Sequence, residues 1–496
     1  MDSINNSNRD RFIFVLIFLL VLMMALRLPF DTDFWWHIRA GQDTFSSGKP
    51  VLTDSYSYTK LSSEWINHSW LGQVIFYITF NLFSFPGVMV LVAMVVAISI
   101  YFIYKTMSGP VLLRAFILVL TVAISAVIWA PRPQLFTFLF LAIEQYLLQQ
   151  TRKFSKTTIS IVFLLFFIVW SNLHAGFSLG ILFLVFWFLG SLIDRFLEQN
   201  NQFSFNKNDL YWVILIILIS LVVMINPNGW NVWGVQFNTI SVSVLQDLIP
   251  EWASPNFHEL IQQPFLWAWL MVIFLALAIP QQITTAKSLP LLLFGYLGFV
   301  ARRNFGPFAI LVTPILSELV LAFYLTRLKD SVWLRQILRR SAFQNKSFRP
   351  GLTKGINLIL FSVISLGLLG KFVYLSNSVI INYYEEQLYP KKAVLWLQEN
   401  KLPGNGLNEY AWGGYMYWYL QDNKVFVDGR TDLFGDEIIL DWLALVSGSE
   451  DWQRKINQYD IEWVFLEKGR PLNSLLLNEK WQMVYEDEIS LILQAP

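Results

Sequence analysis

A succession of apolar stretches, each close to the length of a membrane span, constrains this chain more than any other feature. A span needs about 20 largely apolar residues. Candidates lie near 11–29, 86–106, 112–130, 133–150, 157–173, 176–194, 210–226, 264–280, 288–301, 305–326 and 355–376. Backbone polar groups in lipid must be satisfied within the protein, and stretches of this length do so as helices. The expected fold is therefore mainly α, a polytopic transmembrane helical bundle of about eleven spans. The stretch 69–84, SWLGQVIFYITFNLFS, precedes Pro86 and reads as a helix lying at the interface or re-entering. A further span there would invert every loop after it.

Lys and Arg collect in cytoplasmic loops, which gives the orientation. With the N-terminus inside, that side receives Arg9, Arg11, Lys105, Arg114, Arg152, Lys153, Lys156, Arg195, Lys207 and Lys287. It also receives a dense cluster of Arg327, Lys329, Arg335, Arg339, Arg340, Lys346, Arg349 and Lys354. The 30–69 loop, the 226–263 loop and the tail after about residue 380 fall outside. The tail is less hydrophobic, with strand-like runs KVFVDG, IEWVFL and ISLIL and a helical PKKAVLWLQEN. It is expected to form a small extracytoplasmic α/β domain, dividing the chain into 1–380 and 381–496. A formal net charge of +1 supplies no bias toward nucleic acid. The absence of cysteine excludes disulfides, thiolate nucleophiles and Cys-ligated metals. The first segment lacks a small-residue cleavage site and is expected to stay as an anchor in a bacterial cytoplasmic (inner) membrane.

Polar residues crowd the outer ends. The first span runs into DTDFWWHIRAG, where Trp35 and Trp36 suit a membrane-interface belt. A belt does not account for Asp31, Asp33, His37 and Arg39 beside them. The Asp31-x-Asp33 pair can share a Mg or Mn ion, or one carboxylate can act as general base while the other tunes it. If helical, Asp33 and His37 share a face, as do Glu64 and His68 in SSEWINHSW. Such pairs can bind a metal or merely orient a carboxylate. All four histidines, His37, His68, His174 and His258, fall at outer ends. So do Arg132, Asn172 and the Arg302–Arg303 pair. Arg302 and Arg303 run against the positive-inside bias, and a cation at that depth needs an anionic partner. The acids at 31–33 and a lipid phosphate both qualify, since guanidinium binds phosphate through paired hydrogen bonds. In the tail, NEYAWGGYMYWYLQDNKVFVDGRTDLFG places Tyr410, Trp412, Asp428 and Arg430 around a Gly413–Gly414 pair. Its plain reading is a packed corner with an internal Asp–Arg bridge; its functional reading is an aromatic pocket wall for a sugar or acceptor. No Ser elbow, Walker loop or haem motif is present.

The blocks DTDFWWHIRAGQ, LTDSYSYT, EWINHSWLGQVIFY, RPQLFTFLF, NLHAGFSLG, NPNGW, RRNFGPFAI, EYAWGGYMYWYL and VFVDGRTDLFG together resemble a group of bacterial multi-span proteins. That group is similar to GT-C glycosyltransferases, which take sugars from polyprenyl-phosphate or polyprenyl-diphosphate carriers. The resemblance implies a catalytic carboxylate in the first outer loop, here Asp33, with Asp31 assisting or contacting Mg or Mn. It also implies an outer cavity in which Arg302, Arg303 or Arg132 holds the lipid phosphate. His37, Arg39, Glu64, His68, Asn172, His174, Tyr410, Trp412, Asp428 and Arg430 are then candidates for the substrate and acceptor pocket. The implied partners are the lipid bilayer, a polyprenyl-phosphate-linked sugar and an acceptor. The run Tyr410–Tyr415 resembles the WWDYG-type element of oligosaccharyltransferases but lacks its acidic residue. Two alternatives stand beside the enzyme: a non-catalytic GT-C-like subunit of a membrane complex, and a lipid or glycolipid transporter, which should show polar residues at mid-membrane and internal repeats. The non-catalytic reading would place Asp33 far from Arg302 and Arg303 or plug the cavity with side chains; in the enzyme, Asp33 faces the same cavity as these arginines about 270 residues away in sequence.

Overall fold

A computed structural model describes residues 2–199, 202, 205–235, 249–279, 283–328 and 350–496. Each predicted apolar stretch carries a helix. In chain order these are α1 (Asp2–Ala25), the short α2 (Phe34–Ser47), α3 (Trp70–Thr106), α4 (Val111–Ser125), α5 (Gln134–Gln150), α6 (Lys156–Leu173), α7 (Phe177–Glu198) and α8 (Lys207–Val222). After them come α9 (Gln263–Ala278), α10 (Thr285–Val300), α11 (Phe305–Phe323) and α12 (Pro350–Leu375). Among the described residues, six helices are long and apolar enough to cross a membrane, and α9 and α10 are shorter apolar helices. Phe116, Val119, Leu277 and Leu366 lie on helix surfaces and are more than two thirds exposed. Large bare apolar faces are unfavourable in water and natural in lipid. This is a membrane protein. Of the basic cluster expected in the cytoplasm, Lys329, Arg335, Arg339, Arg340, Lys346 and Arg349 lie outside the described residues.

The 69–84 stretch forms the first part of α3, set off by a kink at Ser84 (φ 53°, ψ −154°) two residues before Pro86. Proline lacks the N–H that would continue the helical ladder and disfavours helical backbone in the residue before it, so the break belongs here. The segment before the kink packs on α2 and α5, with Phe76 meeting Phe34 and Phe136. Trp35 and Trp36 correct the belt expectation. Both are buried, and Trp35 meets Tyr415 edge-on at 4.9 Å between ring centres. They anchor the tail rather than the lipid interface.

The tail folds as helices around a four-stranded sheet of order β1-β2-β4-β3, with β1 (Asn405–Asn408) parallel to β2 (Ile461–Glu467). Strands β3 (Gln482–Glu486) and β4 (Ser490–Gln494) complete it as an antiparallel pair. The IEWVFL and ISLIL runs enter the ladder as expected. KVFVDG does not, which is a second correction. Asn408 takes the place of a neighbouring strand: its Oδ1 accepts the Phe426 N–H at 2.8 Å and its Nδ2 donates to the Val427 carbonyl at 2.8 Å. Val425 instead bridges Ser57, its N–H donating to the Tyr56 carbonyl at 3.0 Å. KVFVDG is therefore the seam between the tail and the 30–69 loop. Arg430 fastens that seam, reaching Asp54 and Asp428 at 2.7 Å each with all three side chains fully buried. The rings of Trp65 and Tyr56 face its guanidinium at 4.9 and 5.1 Å. Planar, weakly hydrated guanidinium is the cation that tolerates such an aromatic box.

Candidate active site

A cavity of about 450 Å³ opens where α2, the starts of α5, α7 and α11, and the tail meet. Asp33 enters it at the start of α2. Its backbone N–H donates to Asp31 Oδ1 at 3.0 Å, so the Asp-x-Asp spacing fixes where the second carboxylate points. On the other side, Gly429 of the tail lies against Asp33: a Cβ there would overlap Asp33 Oδ1 and sit 3.0 Å from Trp36 Nε1. Only glycine lets the tail backbone approach this closely.

One guanidinium gathers three carboxylates. Arg132 donates to Asp31 at 2.6 Å, to Asp33 at 2.8 Å and to Glu251 at 3.2 Å. Burial pulls the Arg132 pKa down, but Asp33, Asp31 and Glu251 outweigh it and hold it well above the ordinary value. For Asp33 the balance goes the other way. Burial pushes its pKa up to about 7, Arg132 opposes the rise and Asp31 adds to it. A carboxyl poised near neutrality suits general-base work. Glu251 is placed by backbone: its carbonyl accepts the Arg303 N–H at 3.0 Å while its side chain turns to Arg132.

Of the two arginines expected to share a cavity with Asp33, Arg303 lines it. Its guanidinium lies over the Trp252 ring at 4.1 Å and, among the described residues, forms no ion pair. Arg302, its neighbour, points away: its Nε donates to the Pro250 carbonyl at 2.6 Å and it stands outside the cavity. Three of the four histidines, His37, His68 and His174, converge on the cavity, whereas His258 is exposed. Burial drives all three imidazole pKa values down, and Arg132, beside the other two imidazoles, adds to the effect at His37. Asp432 of the tail opposes it at His68, and burial in turn raises the Asp432 pKa.

The remaining expected residues serve structure around the site. Arg39 pairs with Asp43 at 3.2 Å, one turn along α2. Asn172 accepts the Trp70 indole N–H at 2.8 Å and ties α6 to Ile225. Trp412 is buried against Phe465, and Tyr410 packs by Trp442. Asp428 and Arg430 are sealed in the clip with Asp54. Glu64 is exposed in an irregular segment that bridges Thr53, so it shares no helical face with His68. Asp33 and His37, by contrast, do line one cavity from one turn of α2. A divalent ion fits poorly here: Arg132 occupies the point on which Asp31, Asp33 and Glu251 converge, and among the described residues no three His, Asp or Glu side chains are placed to hold one ion. The sequence reading missed Glu251, Trp252, Gly429 and Thr431, all on the cavity wall with Asp432. The DGRTD run was a usable signal for Gly429 and Thr431; nothing local marked the first two.

No protein-family model matches this chain, and no curated protein does. Solved structures do. The archaeal oligosaccharyltransferase AglB from Archaeoglobus fulgidus, in complex with an inhibitory peptide and a dolichol-phosphate, is similar with a TM-score of 0.56 at 10% identity, over 91% of this chain and 69% of that one. ArnT from Cupriavidus metallidurans in the apo state gives 0.50 at 12%, over 97% and 96%. The same protein bound to undecaprenyl phosphate gives 0.49 at 14%, over 97% of each chain. The chain therefore shares its overall fold with these two proteins. That likeness extends through the tail as well as the bundle, since it covers more than nine tenths of the chain.

Proposed function

We propose that this chain is a glycosyltransferase of the bacterial inner membrane that moves a sugar from a polyprenyl-phosphate or polyprenyl-diphosphate carrier to an acceptor on the extracytoplasmic face. The observation that carries the reading is the placing of Asp33 and Arg303 on one cavity: a carboxyl whose pKa burial raises to about 7 and a guanidinium that, among the described residues, forms no ion pair. In this scheme the carrier's phosphate rests on Arg303, and Asp33 takes the proton of the acceptor hydroxyl as the sugar–phosphate bond breaks. Arg132 steadies Asp33 through its three-carboxylate cluster, and Asp31 is a positioning residue. No step is routed through a metal. The AglB structure holds a dolichol-phosphate, the same class of carrier.

The test is transfer by protein reconstituted with a panel of undecaprenyl-phosphate-linked sugars and an extract of bacterial envelope glycans and lipids as acceptors, read as release of the lipid phosphate. Asp33→Asn is expected to abolish release. Release at the wild-type rate would sink the assignment.

A further inference from the structure

Hydrogen bonds fix the proton on two of the cavity's three imidazoles. Around His174 the Gly176 backbone N–H, which can only donate, points at Nδ1 at 3.0 Å. The Thr137 hydroxyl meets the same nitrogen at 2.9 Å while its oxygen accepts the Trp170 indole N–H. His174 Nδ1 is thus an acceptor, and in the neutral ring the proton sits on Nε2. Around His37 the same result comes through a buried chain. The Ser69 N–H donates to Asn67 Oδ1 at 3.4 Å, which leaves the Asn67 amide N–H to donate to Gln73 Oε1 at 2.9 Å. Gln73 then presents its own N–H to His37 Nδ1 at 3.5 Å. Both rings therefore show the cavity a donor, and among the described residues no hydrogen bond ends on either Nε2. His68 has no such lock: among the described residues no donor reaches its buried Nδ1.

We propose that His37 and His174 are held with their protons on Nε2 and donate them, together with Arg303, to the phosphoryl oxygens of the cavity's ligand. This rests on the reading of the cavity as a polyprenyl-phosphate site. A phosphate is acceptor-only, so the carboxylates Asp33, Glu251 and Asp432 on the same wall repel it, and donors must outnumber them locally. Neutral N–H donors add hydrogen bonds without adding a third buried cation beside Arg132 and Arg303. The guanidiniums beside the two rings reinforce neutrality: Arg132 acts on His37 and Arg303 on His174, and a proton on His68 would act on both in the same sense. The grip of these two residues on phosphate should then be flat across physiological pH.

The whole protein in lipid nanodiscs, with histidines labelled by ¹⁵N, tests both halves. The chain has four histidines, so single His→Gln variants assign each signal. His37 and His174 are expected to keep the Nε2–H signature from about pH 5.5 to 8 and to shift when undecaprenyl phosphate is added. His37→Leu and His174→Leu should each weaken binding of that lipid by about 10-fold, the loss expected for a hydrogen bond to a charged group. His→Gln keeps an N–H at similar reach and should recover most of the affinity, which separates lost donation from misfolding. Either ring protonated or carrying Nδ1–H in that range, or Leu variants that bind as wild type does, overturns the proposal. Wild-type protein that binds no undecaprenyl phosphate overturns the carrier reading itself, and this proposal with it.

Discussion

Asp33 sits among opposed charges that decide when it can take a proton. Its carboxyl is pushed from an ordinary 3.8 up to about 7, chiefly by burial, with Arg132 restraining the rise. A base works only when deprotonated, so transfer should climb with pH through about 7 and level off above it. Arg132→Met removes the restraint, and the rise should move to higher pH; rate against pH for both proteins checks this. Stability has the opposite sign. Between about 4 and 7 the folded protein keeps a proton on Asp33 that the unfolded chain has lost, so this group's contribution falls as pH rises across that window. Gly429 offers a sharper probe, because a Cβ there overlaps Asp33 Oδ1. Gly429→Ala should cut transfer by about 100-fold with melting temperature little changed, the scale of loss that follows a displaced reacting group. Transfer within a few-fold of wild type would show that Asp33 is not held by this contact. Asp33 itself was legible in the sequence, as an acid at the end of a span. Gly429 was not, because a glycine's role depends on what lies opposite, here a residue about 400 positions away.

Apolar length made the helices readable, since each span must satisfy its own backbone wherever it packs. Helix starts carry the site, and one of them is unusually tight. At Gly176, just before α7, a Cβ would overlap Thr137 Oγ1, the atom that also touches His174 and Trp170. Gly176→Ala should therefore disturb the α5–α7 contact and cost about 1–3 kcal/mol, the usual penalty for overpacking a filled site. Thermal melting in detergent measures it, and an unchanged melting point would deny the tight fit. The failure at KVFVDG has an equally local cause. Its alternation is that of a strand, yet Asn408 supplies the hydrogen bonds that a neighbour in the ladder would have made. Sequence pattern reports that a segment is extended and half-buried; it does not report who satisfies its backbone. The Glu64–His68 pairing failed for the same reason, since the i, i+4 argument holds only if the segment is helical.

The tail and the 30–69 loop close the cavity together, and Arg430 joins them. Replacing it by Met leaves Asp54 and Asp428 as buried charges without their cation, held only by hydrogen bonds from Tyr56, Ser57 and the backbone N–H of residue 430, at a cost of about 3–5 kcal/mol. Adding Asp54→Asn and Asp428→Asn should return much of that loss, because the unpaired charges rather than the missing contact account for most of it. Melting of the single and triple variants decides. With this clip intact, one orientation governs the whole site: if the tail is extracytoplasmic, so are Asp33, Arg303 and the cavity they share. The chain has no cysteine, so single cysteines can be placed without background. Asp422 of the tail and Lys153 after α5 are both exposed. They lie on opposite sides if Arg152, Lys153 and Lys156 mark the cytoplasmic loops. A thiol reagent that does not cross the membrane should label Asp422→Cys in intact cells and reach Lys153→Cys only after permeabilisation. The reverse pattern would put the cavity in the cytoplasm and require an acceptor from that side, whatever the chemistry at Asp33.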